Sequence, residues 1–285
     1  MTTDDHSAVR DAVLVASLLA IDPAHLGGVW IKARHGARRD WLQAVFSNIQ
    51  KSMVRVTGGT SPQALFGGVD LTESLTHGRI IERKGLLADA AMIWLNGAER
   101  LDRDLVAQVV LQCEATPGQM LLVADEGTED DPLPAEMLRE RVAFFLFEDA
   151  LGNSGMDPAL DHERIEWAQG LLRDIELAPS MIEAVVALGD RLGVLQFRAS
   201  QMAVYCARAH AAFRGGARIE TEDVEAAMRL VLAHRMTLSE EQAAQENAQP
   251  EVENDETADQ SSEPSHDSVL QEVNLDAAAT QLPDG

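Results

Sequence analysis

The stretch GGVWIKARHGARRDWLQAVFSNIQ, residues 27–50, decides the fold. Its first seven residues form an apolar run typical of a buried strand, and the segment from Trp41 to Gln50 has the apolar spacing of a helix. A basic loop that contains Gly36 joins the two. Because a strand, a glycine-containing loop and a helix in this order bind phosphate in many α/β proteins, the stretch predicts an α/β domain with a candidate phosphate loop.

The residues of this loop depart from those that phosphate binding requires. In the pattern G-x-x-x-x-G-K-[ST], the glycines let backbone N–H groups wrap the phosphates, the lysine reaches them, and the hydroxyl binds Mg²⁺. Ala33 and Arg38 stand where the glycines belong, so only Gly36 is of the expected type. Arg39 replaces the lysine and Asp40 replaces the hydroxyl, which adds a negative charge where phosphate would lie. Taken alone, the segment reads as a surface loop.

Short apolar runs and helical segments alternate as far as about residue 150. Four further runs have the length and composition of buried strands, namely 52–58, 90–97, 119–127 and 142–149. Helical patterns fall at 9–20, 70–79 and 101–115. Buried strands that alternate with helices indicate a mostly parallel sheet, so residues 1–155 are predicted to form one α/β domain.

Residues 156–237 show a purely helical pattern. Its four segments begin near residues 162, 180, 197 and 221, and the last runs to residue 236. Ser180 and Glu183 have the spacing of a capping box at the start of the second segment. The region is therefore predicted to be a small helical bundle.

The net charge of −24 is concentrated near the end of the chain. After Arg235 there are 13 acidic residues and no lysine or arginine, so residues 238–285 are predicted to be a disordered acidic linker that leads to a further domain. Nucleic-acid binding needs a basic face, so this acidic chain is not expected to bind DNA or RNA.

The length of the apolar runs and the positions of the cysteines predict the cellular compartment. The apolar run 13–21 is about half as long as a membrane span requires, and no export signal is predicted. Cys113 and Cys206 lie far apart in sequence and fit neither a disulfide framework nor a metal cluster. Reduced thiols in the cytoplasm are the expected state.

A longer segment resembles a known family. The run LFGGVDLTESLTHGRIIERKGLLADAAMIWLNGAERLD, residues 65–102, resembles the AAA+ subunits of magnesium chelatase in the order and spacing of its glycines and leucines. The resemblance extends over about residues 8–236. It implies a P-loop NTPase-like (AAA+) domain followed by an AAA+ lid-like bundle.

The same resemblance implies that the nucleotide elements are degraded together. In the family, the strand AMIWL ends in Asp-Glu, which serves magnesium and activates water, but here it ends in Asn96 and Gly97. The next strand also departs from the family pattern, because Asp125 and Glu126 follow it. With the altered loop, three elements are lost, which points to the purple-bacterial D subunits and away from the ATP-hydrolysing I subunits.

Two arginines match family positions that act on nucleotide. LRERV, residues 138–142, corresponds to the family's Leu-Leu-Asp-Arg-Phe segment, so Arg141 is implied to reach into a neighbouring subunit's site as an arginine finger. Arg198 matches the second sensor arginine. Without the resemblance, both would be interpreted as surface arginines in salt bridges.

The resemblance also implies the reaction and the partners. In the family, ATP hydrolysis by the I subunit drives insertion of Mg²⁺ into protoporphyrin IX carried by the H subunit, the first committed step of bacteriochlorophyll synthesis. The D subunit is the platform on which I subunits assemble, so ATP and Mg²⁺ are expected mainly on the partner. Family D subunits continue into an integrin-like domain with a D-x-S-x-S metal motif, which these 285 residues do not contain.

Two other functions stay open at the level of sequence. An active MoxR-like AAA+ ATPase would require a competent site despite Arg39, Asp40, Asn96 and Gly97. A non-enzymatic adaptor of another AAA+ ring, such as a clamp-loader-like subunit, would also combine a degraded site with a retained arginine. The segment 65–102 is the feature that separates the adaptor from a chelatase subunit.

Overall fold

A parallel sheet of five strands lies at the centre of the fold in this computed structural model. The strands of the chain are β1 (Gly28–Lys32), β2 (Met53–Val56), β3 (Gly67–Val69), β4 (Glu82–Lys84), β5 (Met92–Asn96), β6 (Met120–Asp125) and β7 (Phe144–Phe147). Their order in the main sheet is β2-β5-β6-β1-β7, and β3 pairs with β4 in a separate antiparallel hairpin. The predicted parallel α/β sheet is confirmed.

The structure describes residues 3–49, 52–128, 130–150, 159–194 and 196–236. All of them belong to one unit that spans Met1–Ser239. The predicted acidic linker, residues 238–285, lies outside the described residues.

Helices cover both faces of the sheet. They are α1 (Thr3–Ile21), α2 (Pro23–Leu26), α3 (Ala37–Ser47), α4 (Pro62–Phe66), α5 (Leu71–His77), α6 (Arg103–Ala115), α7 (Glu136–Arg141), α8 (His162–Leu171), α9 (Pro179–Arg191), α10 (Phe197–Arg214) and α11 (Thr221–Ala227). Among the described helices, none is long and apolar enough to cross a membrane.

The central strands are apolar on both faces because each face meets a separate core. Val29 and Ile31 of β1 pack with α1, α3 and the C-terminal helices, whereas Trp30 between them packs with α6 on the other side. Successive side chains of a strand point to opposite faces, so a strand buried on both sides must be apolar throughout. This explains why the strands are visible in the sequence as unbroken apolar runs.

Helix boundaries differ from the sequence prediction at several places, of which three affect the site or the C-terminal helices. Helix α3 begins at Ala37 instead of Trp41, so Asp40 lies in its first turn, where the helix dipole favours a negative charge. The predicted capping box at Ser180 is wrong, because Ala178 is the N-cap and Pro179 opens α9. The last predicted helix keeps regular α-geometry only to Ala227.

The chain continues from α11 through a π-helical turn, Met228–Leu232, and a 3₁₀ turn, Ala233–Arg235. A π-turn shifts the register of a helix and re-aims the residues that follow it. Helices α8, α9 and α11 pack against the buried, alanine-rich α10, which also contacts α1 and α2. The helical bundle and the sheet therefore share one continuous core.

Candidate functional site

The candidate phosphate loop lies at the carboxyl edge of the main sheet. Strands β1, β5 and β6 are parallel neighbours, so Lys32, Asn96 and Asp125 at their ends meet at this edge. The carboxyl ends of strands in an open α/β sheet are where such folds place their ligands. The structure thus brings together the loop and the two strand ends whose residues depart from the family pattern.

Arg39, which stands where the catalytic lysine is expected, is turned inward. It is only 6% exposed, and its guanidinium donates to the side-chain oxygen of Asn96 and forms an ion pair with Glu126. One guanidinium nitrogen also lies 3.4 Å from Nδ1 of His35. The guanidinium of Arg39, which could otherwise bind a phosphate, is therefore already bound by side chains of the protein.

A second ion pair, between Lys32 and Asp125, lies at the same carboxyl edge of the sheet, at the end of β1. Nζ of Lys32 lies 3.0 and 2.9 Å from the two carboxylate oxygens of Asp125, which is 3% exposed. The N–H of Gly127 donates to the same carboxylate at 2.9 Å, and the N–H of Ala33 donates to the backbone oxygen of Asp125 at 3.0 Å. A backbone donor of the candidate loop is thus already paired within the chain.

Two residues that sequence reasoning missed, Glu99 and Arg100, complete the network. Arg100 donates to Glu126 at 2.9 Å and lies 3.2 Å from Glu99, and Glu99 accepts the N–H of Glu126 at 3.1 Å. The hydrogen bond to Glu126, followed by the charge of Glu99, raises the pKa of Arg100. The sequence feature that could have identified these two residues is their position as adjacent opposite charges shortly after the end of the buried strand β5.

These side chains form what we call the carboxyl-edge cluster. It contains three cations, three carboxylates and one amide: Lys32, Arg39, Asn96, Glu99, Arg100, Asp125 and Glu126. Since the charges balance, the cluster has no excess positive charge to attract a phosphate. Within the described residues, no group of three or more His, Cys, Asp or Glu side chains could hold a metal ion.

The single glycine of the candidate loop is not required by its backbone conformation. At Gly36 the chain is extended and an added Cβ would meet no atom within 4 Å, so this position does not require glycine. The partly exposed Arg38 and the exposed Asp40 belong to the first turns of α3. Gly97, in contrast, has φ +62°, a left-handed conformation in which the glutamate expected by resemblance would be strained.

Arg141 lies at the opposite, amino edge of the sheet. It is the last residue of α7, is 6% exposed, and donates to the backbone oxygen of Cys113 at 3.3 Å. Its side chain covers Gly27, where φ is +69° and a Cβ would collide with the guanidinium. Burial lowers the pKa of Arg141, and the positive charge of Arg198 lowers it further. Among the described residues, no carboxylate pairs with Arg141.

Arg198 lines the same cleft as Arg141, although the two are 57 positions apart in sequence. The cleft has a volume of about 400 Å³, and Cys113, Glu114, His25 and Tyr205 also line it. Arg198 is half-exposed and forms a 3.0 Å ion pair with Glu114. The structure thus brings the two sequence-predicted arginines together, with the buried one reached through the cleft.

The arginine cleft and the carboxyl-edge cluster lie at opposite ends of β1. Arg141 contacts Gly27 before the strand, whereas the candidate loop starts at Ala33 after it. Six residues of extended chain span roughly 20 Å, which is farther than an arginine side chain reaches. Arg141 therefore cannot reach the candidate loop of its own chain.

Comparisons with known proteins find one matching family model and related magnesium-chelatase subunits. Residues 182–257 match the model of the AAA lid domain. The chain is 36% identical over 231 residues to the magnesium-chelatase 60 kDa subunit of Cereibacter sphaeroides, and 29% identical over 234 residues to that of Rhodobacter capsulatus. Each match covers 81% of this chain and 41% of the relative, so the chain spans about two fifths of the length of these proteins.

A solved structure shows the same fold. A candidate ATPase from Cytophaga hutchinsonii superposes with a TM-score of 0.55 at 14% identity, covering 85% of this chain and 89% of that one. At this identity the likeness concerns the fold alone. It confirms the predicted AAA+-like architecture.

Proposed function

This chain belongs to the magnesium-chelatase AAA+ subunits, and we propose that it is a subunit that does not hydrolyse ATP but supports hydrolysis by a partner. The observation that carries the proposal is the position of Arg39 between Asn96 and Glu126. A nucleotide phosphate would need this guanidinium, which the protein already neutralises.

The energetic cost of nucleotide binding follows from the same contacts. Drawing Arg39 away from Glu126 would leave a partly buried carboxylate with a single cationic partner, Arg100. Breaking a buried ion pair costs about 3–5 kcal/mol, equivalent to roughly 10²–10⁴ in affinity. In addition, Gly97 offers no side chain to activate water. Both effects support a subunit that binds ATP weakly and does not cleave it.

Arg141 supports the second part of the proposal, that this chain assists ATP hydrolysis by a partner. A guanidinium keeps its charge when buried and matches phosphate oxygens in two-fold contacts. Arg141 lacks a carboxylate partner within the described residues and faces a cleft, so its charge is available to a neighbour's nucleotide. An arginine supplied in trans contributes roughly 10³–10⁵ to the rate of phosphoryl transfer. Arg198, in the same cleft, would assist as the sensor-like arginine.

The proposed partner is the ATP-hydrolysing I subunit of a magnesium chelatase, on whose nucleotide Arg141 would act. In this scheme ATP and Mg²⁺ are bound mainly by that subunit, and the H subunit carries protoporphyrin IX for metal insertion during bacteriochlorophyll synthesis in the cytoplasm. The 36% identity to a magnesium-chelatase 60 kDa subunit supports this choice over an adaptor of an unrelated ring.

The test combines assembly with turnover. Light-scattering mass would be measured for the chain mixed with the I subunit, with and without MgATP, and ATP hydrolysis would be followed in the same mixtures. We expect a large complex with nucleotide, and a rate that falls by at least about 10²-fold with Arg141→Ala. Arg139→Ala, on the same helix, is the matched control and should leave the rate unchanged.

Two outcomes would contradict the proposal. ATP turnover by this chain alone would favour the active MoxR-like ATPase. If the mixed complex instead hydrolysed ATP at the same rate before and after the Arg141→Ala substitution, this arginine would have no part in the mechanism.

A further inference from the structure

A single arginine of the C-terminal turn holds the backbone on both sides of Arg141. Arg235, the last residue of the 3₁₀ turn, donates from Nη2 to the backbone oxygens of Arg139 at 3.2 Å and Val142 at 2.5 Å. It donates from Nη1 to the oxygen of Ala143 at 2.9 Å. These three carbonyls belong to the end of α7 and the entry to β7.

The contacts have a clear physical origin. The last carbonyls of a helix have no partner within the helix, and they carry the negative end of its dipole. A guanidinium satisfies several carbonyls at once because its donors are arranged in a rigid fork. Here they are the oxygen of Arg139 in the last turn of α7 and those of Val142 and Ala143 just after it. Arg235 also lies over the ring of Phe145 in β7, 4.5 Å from the ring centre. Helix α7 is thereby held to the strand that follows it.

Arg235 is not held in place by an acidic group in the part of the chain that the structure describes. Its partners are the carbonyl oxygens named above and that of Val231, one turn earlier. Burial, with a smaller contribution from the charge of Arg139, lowers the pKa of Arg235 to about 10. Burial of this guanidinium without a counter-charge has a desolvation cost, which its hydrogen bonds to four carbonyl oxygens offset.

A π-turn precedes the 3₁₀ turn that carries Arg235. Regular α-geometry ends at Ala227, and the shift of register over Met228–Leu232 changes the direction in which the following residues point. Leu230, Val231 and Leu232 remain buried in the core, so the turn is anchored while Arg235 reaches α7. The C-terminal helices and the segment that carries Arg141 are thus joined directly.

We propose that Arg235 is a positioning residue for Arg141: by capping α7 it sets the direction of the trans-acting guanidinium and couples it to the helical bundle. The proposal rests on the function proposed above, since it concerns how Arg141 is presented to a neighbour's nucleotide. The Arg141 side chain itself packs on Gly27 and donates a hydrogen bond to the backbone oxygen of Cys113.

The experiment is a double-mutant cycle in the mixed complex of the full chain with the I subunit. Arg235→Gln should lower kcat for ATP roughly 10–100-fold, as expected when a reacting group is displaced by about 1 Å, with KM for ATP and the assembled mass unchanged. Combined with Arg141→Ala, it should cause no further loss, because both changes act through one guanidinium. Losses that multiply in the double variant would overturn the proposal.

Two more variants separate positioning from general destabilisation. Arg235→Lys keeps the charge but reaches fewer carbonyls, so its kcat should lie between those of the parent and Arg235→Gln; if Arg235→Gln does not fold, the same cycle is run with Arg235→Lys. Arg229→Gln is the matched control, since Arg229 is in the same segment but pairs with Asp11, and its kcat should not change. Hydrogen exchange should quicken at residues 138–143 only in the Arg235 variants.

The two proposals can fail separately. If Arg141→Ala lowers the rate and Arg235→Gln does not, the positioning role is wrong and the proposed function stands. If Arg235→Gln lowers the rate while Arg141→Ala does not, Arg235 acts by another route and both proposals are wrong.

Discussion

The guanidinium of Arg39 donates a hydrogen bond to the side-chain oxygen of Asn96, joining the first turn of α3 to the carboxyl end of β5. By resemblance, these two positions would hold a lysine and an aspartate that act on nucleotide and magnesium. Here they bind each other, and Glu126 completes the arrangement. Arg39 therefore satisfies the amide oxygen of Asn96 and balances the charge of Glu126 at the same time.

The first prediction concerns the stability of the carboxyl-edge cluster. Arg39→Met should lower the free energy of unfolding by about 3 kcal/mol, because Asn96 loses its donor and Glu126 keeps only Arg100. Urea denaturation followed by circular dichroism measures this. Adding Glu126→Gln should recover part of the loss; no recovery would mean that the pair is not coupled.

The second prediction concerns nucleotide affinity. Glu126→Gln removes the carboxylate that neutralises Arg39, so the affinity of the chain alone for ATP should rise by roughly tenfold, or about 1.4 kcal/mol. Hydrolysis should stay at background, because Gly97 provides no base. Titration calorimetry and phosphate release measure the two quantities. Glu114→Gln, at the opposite edge of the sheet, is the control and should leave affinity unchanged.

The third prediction separates function from stability at Arg141. This guanidinium is 6% exposed and donates to the backbone oxygen of Cys113, and no carboxylate pairs with it among the described residues. Burying a charge without a counter-charge opposes folding, so Arg141→Met, which fills similar space, should leave the melting temperature unchanged or higher. A drop of more than about 5 °C would show that Arg141 is a structural residue.

The fourth prediction tests whether Arg198 is more than a surface ion pair. Its contact with Glu114 is half-exposed on both sides, so Arg198→Ala should change the free energy of unfolding by less than about 1 kcal/mol. If Arg198 assists at a neighbour's nucleotide, the same variant should lower ATP turnover of the mixed complex roughly tenfold or more. If turnover did not change, Arg198 and Glu114 would form an ordinary surface ion pair with no part in ATP hydrolysis.

The fifth prediction concerns pH. Asp223 is fully buried and accepts from Arg214 at 2.9 Å, His210 at 2.7 Å and the N–H of Glu220 at 2.8 Å. Burial alone would raise the pKa of this carboxyl, but the hydrogen bonds, led by that of Arg214, outweigh it and lower the pKa.

Because the folded pKa lies below that of the unfolded chain, ionised Asp223 stabilises the fold above about pH 4, and this contribution disappears as the pH falls through the folded value. Asp223→Asn should cost about 3 kcal/mol at neutral pH. The difference between parent and variant should shrink below about pH 4, as unfolding free energies measured across that range would show. A difference that does not vary with pH would contradict the role of the ionised carboxylate.

Much of the fold could be predicted because the deciding signals are local. Strands buried on both faces must be apolar throughout, so β1, β5, β6 and β7 are visible as runs in the sequence. Helix ends were less predictable. The start of α3 and the π-turn after Ala227 depend on what each end contacts, which a local pattern does not contain.

The sequence by itself determined that the nucleotide motifs are altered, since Arg39, Asp40, Asn96 and Gly97 stand at recognisable positions relative to their strands. Only the tertiary structure decided what replaced them. Arg39 and Glu126 are 87 positions apart, and they neutralise each other because parallel strands end at the same edge of the sheet. At the opposite edge, Arg141 of α7 and Arg198 of α10 line one cleft. These residues also come together only through the packing of segments that are distant in sequence.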